Sequence, residues 1–221
     1  MVRGFEDGQR WLAKAIYDLG GISFGDYTIG RTTVHSPVYV NPRVLISQPA
    51  MLRQVTKLIQ QEVLIGMARR KPRCSPFDLV AGVPFGGLHL ATAFALLADV
   101  PMIYALKPSM AAQKGQRAIE GRYRSGQTVL VIDDLITTGG SVLETAAILE
   151  DVGLIVRDAV VLIDREQGAS ARLTDAGYNL IPILKLKTML TFYYNNQLID
   201  QDWFEKSMAY LETHQAKGSG G

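Results

Sequence analysis

The chain has 221 residues, 48% of them apolar, and a formal net charge of +2, enough material for one substantial core, so a single domain is expected over residues 1–216, with a flexible glycine-rich tail at 217–221. So small a charge gives no whole-surface field to recruit nucleic acid, and an anion site has to be built from local groups. A charged N-terminus, no apolar run of bilayer length and a lone cysteine, Cys74, argue against a signal peptide, a membrane span, an internal disulfide and a cysteine-rich zinc cluster, and favour a cytoplasmic setting.

In chain order, Trp11, Leu12, Ala15, Ile16 and Leu19 recur at helical spacing and stop at Gly20 and Gly21, which predicts an amphipathic helix closed by a glycine cap. A second helix is expected from about Ser47-Gln48-Pro49 to Ala68. The cluster Arg69, Arg70, Lys71 and Arg73 then reads as a solvated helix end. From Phe77 onward, short apolar runs alternate with helix-length segments. Strands are predicted at Phe77–Ala81, Met102–Leu106, Val129–Ile132, Ala159–Ile163 and Asn179–Ile183. Helices are predicted at Gly87–Ala98, Ser141–Val152 and Ala169–Ala176. The alternation predicts a doubly wound α/β core with a mostly parallel sheet, whose ligands sit beyond the carboxyl ends of the strands.

The strongest chemical signal follows the strand beginning at Thr128, which the sequence pattern ends with two adjacent acids, Asp133 and Asp134. Neighbouring carboxylates are costly unless cations or hydroxyls use them. Thr137, Thr138, Gly139, Gly140 and Ser141 then supply small hydroxyl side chains and glycines at a helix start, where backbone N–H groups can approach an anion closely. Without the acids the same stretch reads as a tight turn with Ser141 as helix cap; with them it reads as a phosphate cradle. A receiver-type phosphoacceptor and a Walker-B aspartate are the competing explanations of an acid-ended strand, and the absence of a G-x-x-x-x-G-K-[ST] run removes the P-loop.

Acidic pair, one or two apolar residues, then Thr-x-Gly-Gly-Ser/Thr resembles the binding motif for 5-phosphoribosyl-1-pyrophosphate (PRPP) of type I phosphoribosyltransferases. The resemblance implies that Asp133 and Asp134 bind the ribose hydroxyls and that Thr137–Ser141 holds the 5′-phosphate. Three further segments are similar to orotate phosphoribosyltransferases. Leu162–Gly168 resembles the segment whose arginine, here Arg165, contacts the orotate carboxylate through a planar fork. Phe24–Ile29 followed by Ser36-Pro37-Val38-Tyr39 resembles the hood over orotate, placed at about residues 1–46. Ala81–Ala91, with Phe85 and Gly86, resembles the pyrophosphate loop.

The loop between Leu106 and Ile119 departs from the family pattern, which carries an Arg-Lys pair, a further lysine and a histidine. Here Lys107 stands for the paired lysine and Lys114 lies where the histidine would be, so the loop has lost cations. In the hood, Arg31 is the replacement for a family lysine. The resemblance implies transfer of phosphoribosyl from PRPP to orotate in a homodimer, with Mg2+ brought mainly by PRPP and no metal site built by the protein. The thinned loop leaves a second reading open, a PRPP- or nucleotide-binding sensor without turnover.

Overall fold

The computed structural model describes residues 2–29, 33–106 and 118–218. Helix α1 (Val2–Asp18) leads into a hairpin of β1 (Ile22–Ile29) and β2 (Thr33–Val40), a 3-10 turn (Pro42–Ser47) and α2 (Pro49–Ala68). The core follows as β3 (Leu79–Gly82), α3 (Gly86–Ala98), β4 (Met102–Ala105), β5 (Ile119–Glu120), β6 (Thr128–Ile136), α4 (Gly140–Asp151), β7 (Ile155–Asp164), α5 (Ala169–Asp175) and β8 (Asn179–Lys185). Helices α6 (Leu186–Asn195) and α7 (Gln201–Gly218) end the chain.

The six-stranded sheet has the order β5-β4-β3-β6-β7-β8. All neighbours are parallel except the short β5, which runs antiparallel to β4. Successive strand residues point to opposite faces, and here both faces are dry. Leu130 and Ile132 of β6 join the core beneath α1, α2, α3 and α6, whereas Val129 and Val131 pack with Val142, Ala146 and Leu149 of α4 and Leu173 of α5. The near-continuous apolar runs of β6 and β7 follow from that burial on two sides.

The doubly wound sheet expected from the sequence is present, with three differences. The central strand does not stop at Ile132. It continues to Ile136 because β7 runs alongside it as far as Asp164, pairing Asp133 with Val161 and Leu135 with Ile163; the acid pair therefore sits inside the strand rather than beyond its end. Helices α6 and α7 were not anticipated, and α7 keeps helical backbone through Gly218. The hood segment is an antiparallel hairpin, with Ile22 opposite Val40 and Ile29 opposite Thr33.

The two chain ends are knitted together by buried hydroxyls. Tyr193 of α6 donates to the carbonyl of Ala13 at 2.8 Å, and Tyr17 of α1 donates to that of Leu198 at 2.8 Å. Tyr193 is fully buried, so Tyr193→Phe removes a buried hydrogen bond and is expected to lower stability by about 0.5–1.5 kcal/mol, read as a lower urea midpoint with an unchanged m-value.

Candidate active site

Three backbone constraints shape the sheet edge where the site forms. Gly139 adopts φ 84° as the residue before α4, a left-handed conformation that glycine takes without a Cβ penalty, and it turns the chain from β6 into the helix. Gly87 lies so close to β6 that a Cβ would come within 2.3 Å of the Ile132 carbonyl oxygen. Gly86 is tighter in another sense, since its Cβ would stand 2.1 Å from the Asp134 carboxyl group. The peptide between Pro84 and Phe85 is cis, and the Phe85 side chain is largely exposed.

Asp133 and Asp134 are each buried, and the Asp134 amide donates to Asp133 Oδ1 at 2.8 Å. Burial first, and then the charge of Asp134, push the Asp133 carboxyl well above the usual carboxylate range. Asp134 has a different neighbour. Arg43 Nε, on the 3-10 turn after the hairpin, donates to Asp134 Oδ2 at 2.8 Å, and that hydrogen bond raises the Arg43 guanidinium above its ordinary value.

A cavity of about 160 Å³ runs beside the acids, lined by Asp133, Leu135 and Ile136 and by Thr137, Thr138, Gly139, Gly140 and Ser141. Its far wall is the start of α4, where unpaired backbone amides and the helix dipole favour an anion. Ser141 is a helical residue here rather than the cap; the cap position is held by Gly139. Arg172 of α5 donates to the Thr138 carbonyl at 2.8 Å and so braces the loop.

A second cavity, of about 250 Å³, adjoins the first at Leu135 and Thr137 and is bounded by Thr33, Tyr39, Asn41, Arg43, Asp134 and Arg165. Tyr39 packs its ring on Tyr27 within the hairpin, with centroids 5.5 Å apart. Arg165 leaves the end of β7 and is only 2% exposed. Its Nη2 donates to Ser36 Oγ at 2.9 Å and to the Val38 carbonyl at 3.2 Å, tying the hairpin to the core. Nε is buried with no partner among the described residues. Neither neighbouring acid pairs with it: Asp164 instead accepts the Glu166 amide at 2.7 Å. Burial lowers the Arg165 guanidinium from its ordinary value.

The structure therefore brings together Asp133, Asp134, Thr137–Ser141, Tyr39, Gly86 and Arg165, with Phe85 beside Gly86. Arg31, Lys107 and Lys114 lie outside the described residues. Sequence reasoning missed Arg43, Arg172 and the tight approach of Gly87. Arg43 follows Asn41-Pro42, a turn signal just after the hood stretch, but its partner lies 91 residues away.

The model of the phosphoribosyl transferase domain matches residues 45–178. An orotate phosphoribosyltransferase of Chlamydia felis is 36% identical over 178 residues, covering 79% of this chain and 81% of its own length. The solved orotate phosphoribosyltransferase of Aeropyrum pernix is 30% identical, with a TM-score of 0.67 over 81% of this chain and 97% of that one. Uridine 5′-monophosphate synthase of Bos taurus is 33% identical over 201 residues, which cover 91% of this chain but 40% of the bovine protein. The chain belongs to the phosphoribosyl transferase family, and within it to the type I enzymes akin to orotate phosphoribosyltransferases.

Two outcomes follow from the geometry. Because the Asp133 carboxyl titrates higher when folded than when unfolded, its contribution to stability is full below the ordinary carboxylate range and is lost as pH rises through the raised value. Asp133→Asn removes that slope, so thermal unfolding of the variant should depend less on pH than wild type, with the gain at the alkaline side. Gly86→Ala forces the Asp134 carboxyl aside and is expected to weaken PRPP binding by more than about tenfold, measured by calorimetry, with a near-native circular dichroism spectrum.

Proposed function

We propose that this chain transfers the phosphoribosyl group of PRPP to orotate, giving orotidine 5′-monophosphate and pyrophosphate in pyrimidine nucleotide synthesis. The observation that carries this reading is Arg165: a buried guanidinium with an unpartnered Nε and no carboxylate in ion-pair range among the described residues. A buried, uncompensated cation is costly, and an incoming carboxylate offsets that cost with opposite charge and an acceptor for Nε. The names of the Chlamydia and Aeropyrum relatives support the same substrate.

The two adjoining cavities suit the two ends of the reaction. The Thr137–Ser141 loop takes the 5′-phosphate on backbone amides and hydroxyls. Asp133 and Asp134 accept the ribose hydroxyls, and Tyr39 and Arg165 border the space for the base. A ring nitrogen of orotate attacks the anomeric carbon as the bond to pyrophosphate breaks, and its proton passes to the departing pyrophosphate. The electron pair leaves on the pyrophosphate oxygen, the carbon is inverted, and the bond-breaking state is oxocarbenium-like. The chain contributes positioning and charge rather than a nucleophile.

The residues fit Mg2+ as a substrate-borne ion: it prefers phosphate oxygens and few protein ligands, and Asp133 and Asp134 are the carboxylates beside the sugar. Bound there, it supplies positive charge to the leaving pyrophosphate. Lys107, Lys114 and Arg31 are proposed to add cations around the same groups. We further propose a homodimer, supported by an apolar groove of about 390 Å³ between α2 and α3 that includes Leu52, Ala93, Leu96 and Leu97. A cytoplasmic setting is supported by the single buried thiol of Cys74, which burial pushes up to about 12.

The test is a spectrophotometric assay of orotate consumption with PRPP and Mg2+, beside calorimetric PRPP binding on the same preparation. Turnover that falls by at least about a hundredfold in Asp134→Asn and in Arg165→Gln is expected. Saturable PRPP binding without turnover would favour a sensor, and absence of binding would overturn the family's substrate for this chain.

A further inference from the structure

Arg43 is an arginine only partly used by the contact that holds it. Its side chain is 60% exposed, yet Nε is fastened to the buried Asp134 carboxylate at 2.8 Å. A guanidinium carries five N–H donors, and no described residue takes the terminal amino groups of this one. The residue sits on the Pro42–Ser47 turn, which Asn41 caps by accepting the Arg43 amide at 3.2 Å. Its backbone is thus set by local structure, and the side chain borders the same cavity as Tyr39, Asp134, Thr137 and Arg165.

The stereochemistry of PRPP gives this placement a consequence. PRPP is the α anomer, so its pyrophosphate leaves the anomeric carbon on the same face of the ring as the 2- and 3-hydroxyls. A sugar whose hydroxyls donate to Asp134 therefore brings the pyrophosphate close to whatever cation is anchored on that carboxylate. Arg43 is that cation, and its open amino groups match an oxyanion in geometry and charge.

Resting on the phosphoribosyl-transfer reading, we propose that Arg43 is a pyrophosphate-binding residue. Its Nε stays on Asp134 while its terminal amino groups engage the pyrophosphate of PRPP. This places one leaving-group cation on a capped turn, in addition to those of the thinned loop that contains Lys107 and Lys114. The same contact strengthens as the bond to the anomeric carbon breaks and negative charge gathers on the pyrophosphate.

The alternative is that Arg43 merely orients Asp134, and the two roles separate by ligand. Binding of PRPP, Mg-pyrophosphate and ribose 5-phosphate is measured by calorimetry on wild type, Arg43→Gln and Arg43→Lys, with circular dichroism to check folding. Arg43→Gln is expected to weaken PRPP and Mg-pyrophosphate by about tenfold to a hundredfold, the range for a charge-assisted contact, and ribose 5-phosphate by clearly less. Arg43→Lys keeps the charge but loses the fork, and is expected to fall between the two. Equal weakening of PRPP and ribose 5-phosphate would assign Arg43 to Asp134 alone and overturn the proposal, as would no weakening at all. Failure of the wild type to bind PRPP would instead overturn the reading on which it rests.

Discussion

Two carboxyl groups side by side on a buried strand constrain everything around them. β6 carries Asp133 and Asp134 at the top of a sheet that is dry on both faces, where like charges cannot both stand unneutralised. The fold resolves the conflict asymmetrically. Asp133 is pushed toward its protonated form by burial and its neighbour, whereas Asp134 is met by Arg43. Gly86 has no side chain because the space a Cβ would need belongs to the Asp134 carboxyl. The site is thus tuned before any ligand arrives, with acceptors and a cation already in place.

A second buried charge organises the other side. Arg165 extends from the strand next to β6 and is held by Ser36 and Val38 of the hairpin, so the hairpin is docked through the very group that borders the second cavity. Its unpartnered Nε sets a requirement for an acceptor that an aliphatic group does not meet and a carboxylate does. Phosphate cradle, acid pair and buried guanidinium are contributed by β6, the β6–α4 loop and the end of β7. Rigid neighbours in one parallel sheet therefore fix their separations.

Much of this was legible in the residues. The acid pair and the Thr137–Ser141 loop announced themselves through an apolar run that ends in costly charges and small residues, and the sheet through its alternation of short and long apolar segments. The extension of β6 to Ile136 was not legible, because acids inside a strand contradict its local preference and only pairing with β7 sustains them. Helix α6 escaped because Thr188, Thr191, Phe192, Tyr193 and Tyr194 favour strands locally, and packing on α1 overrides that preference. The hairpin was known by its resemblance rather than its pattern, since Gly25 and Pro37 interrupt both strands. Arg43 was invisible for a simpler reason: a long-range ion pair leaves no periodicity in a sequence.

The hairpin has a second anchor whose consequence concerns time rather than geometry. Phe24 packs its ring on Trp203 of α7 at 5.8 Å between centroids, and the Tyr210 hydroxyl donates to the Val34 carbonyl at 3.3 Å. β2 thus leans on a helix residue 176 positions further along the chain. Contacts of such sequence separation form late, because loop closure has to be met before they are rewarded. The six-stranded sheet can therefore form while β1 and β2 still wait for α7, and a change that unseats α7 is expected to loosen the hairpin that borders the second cavity.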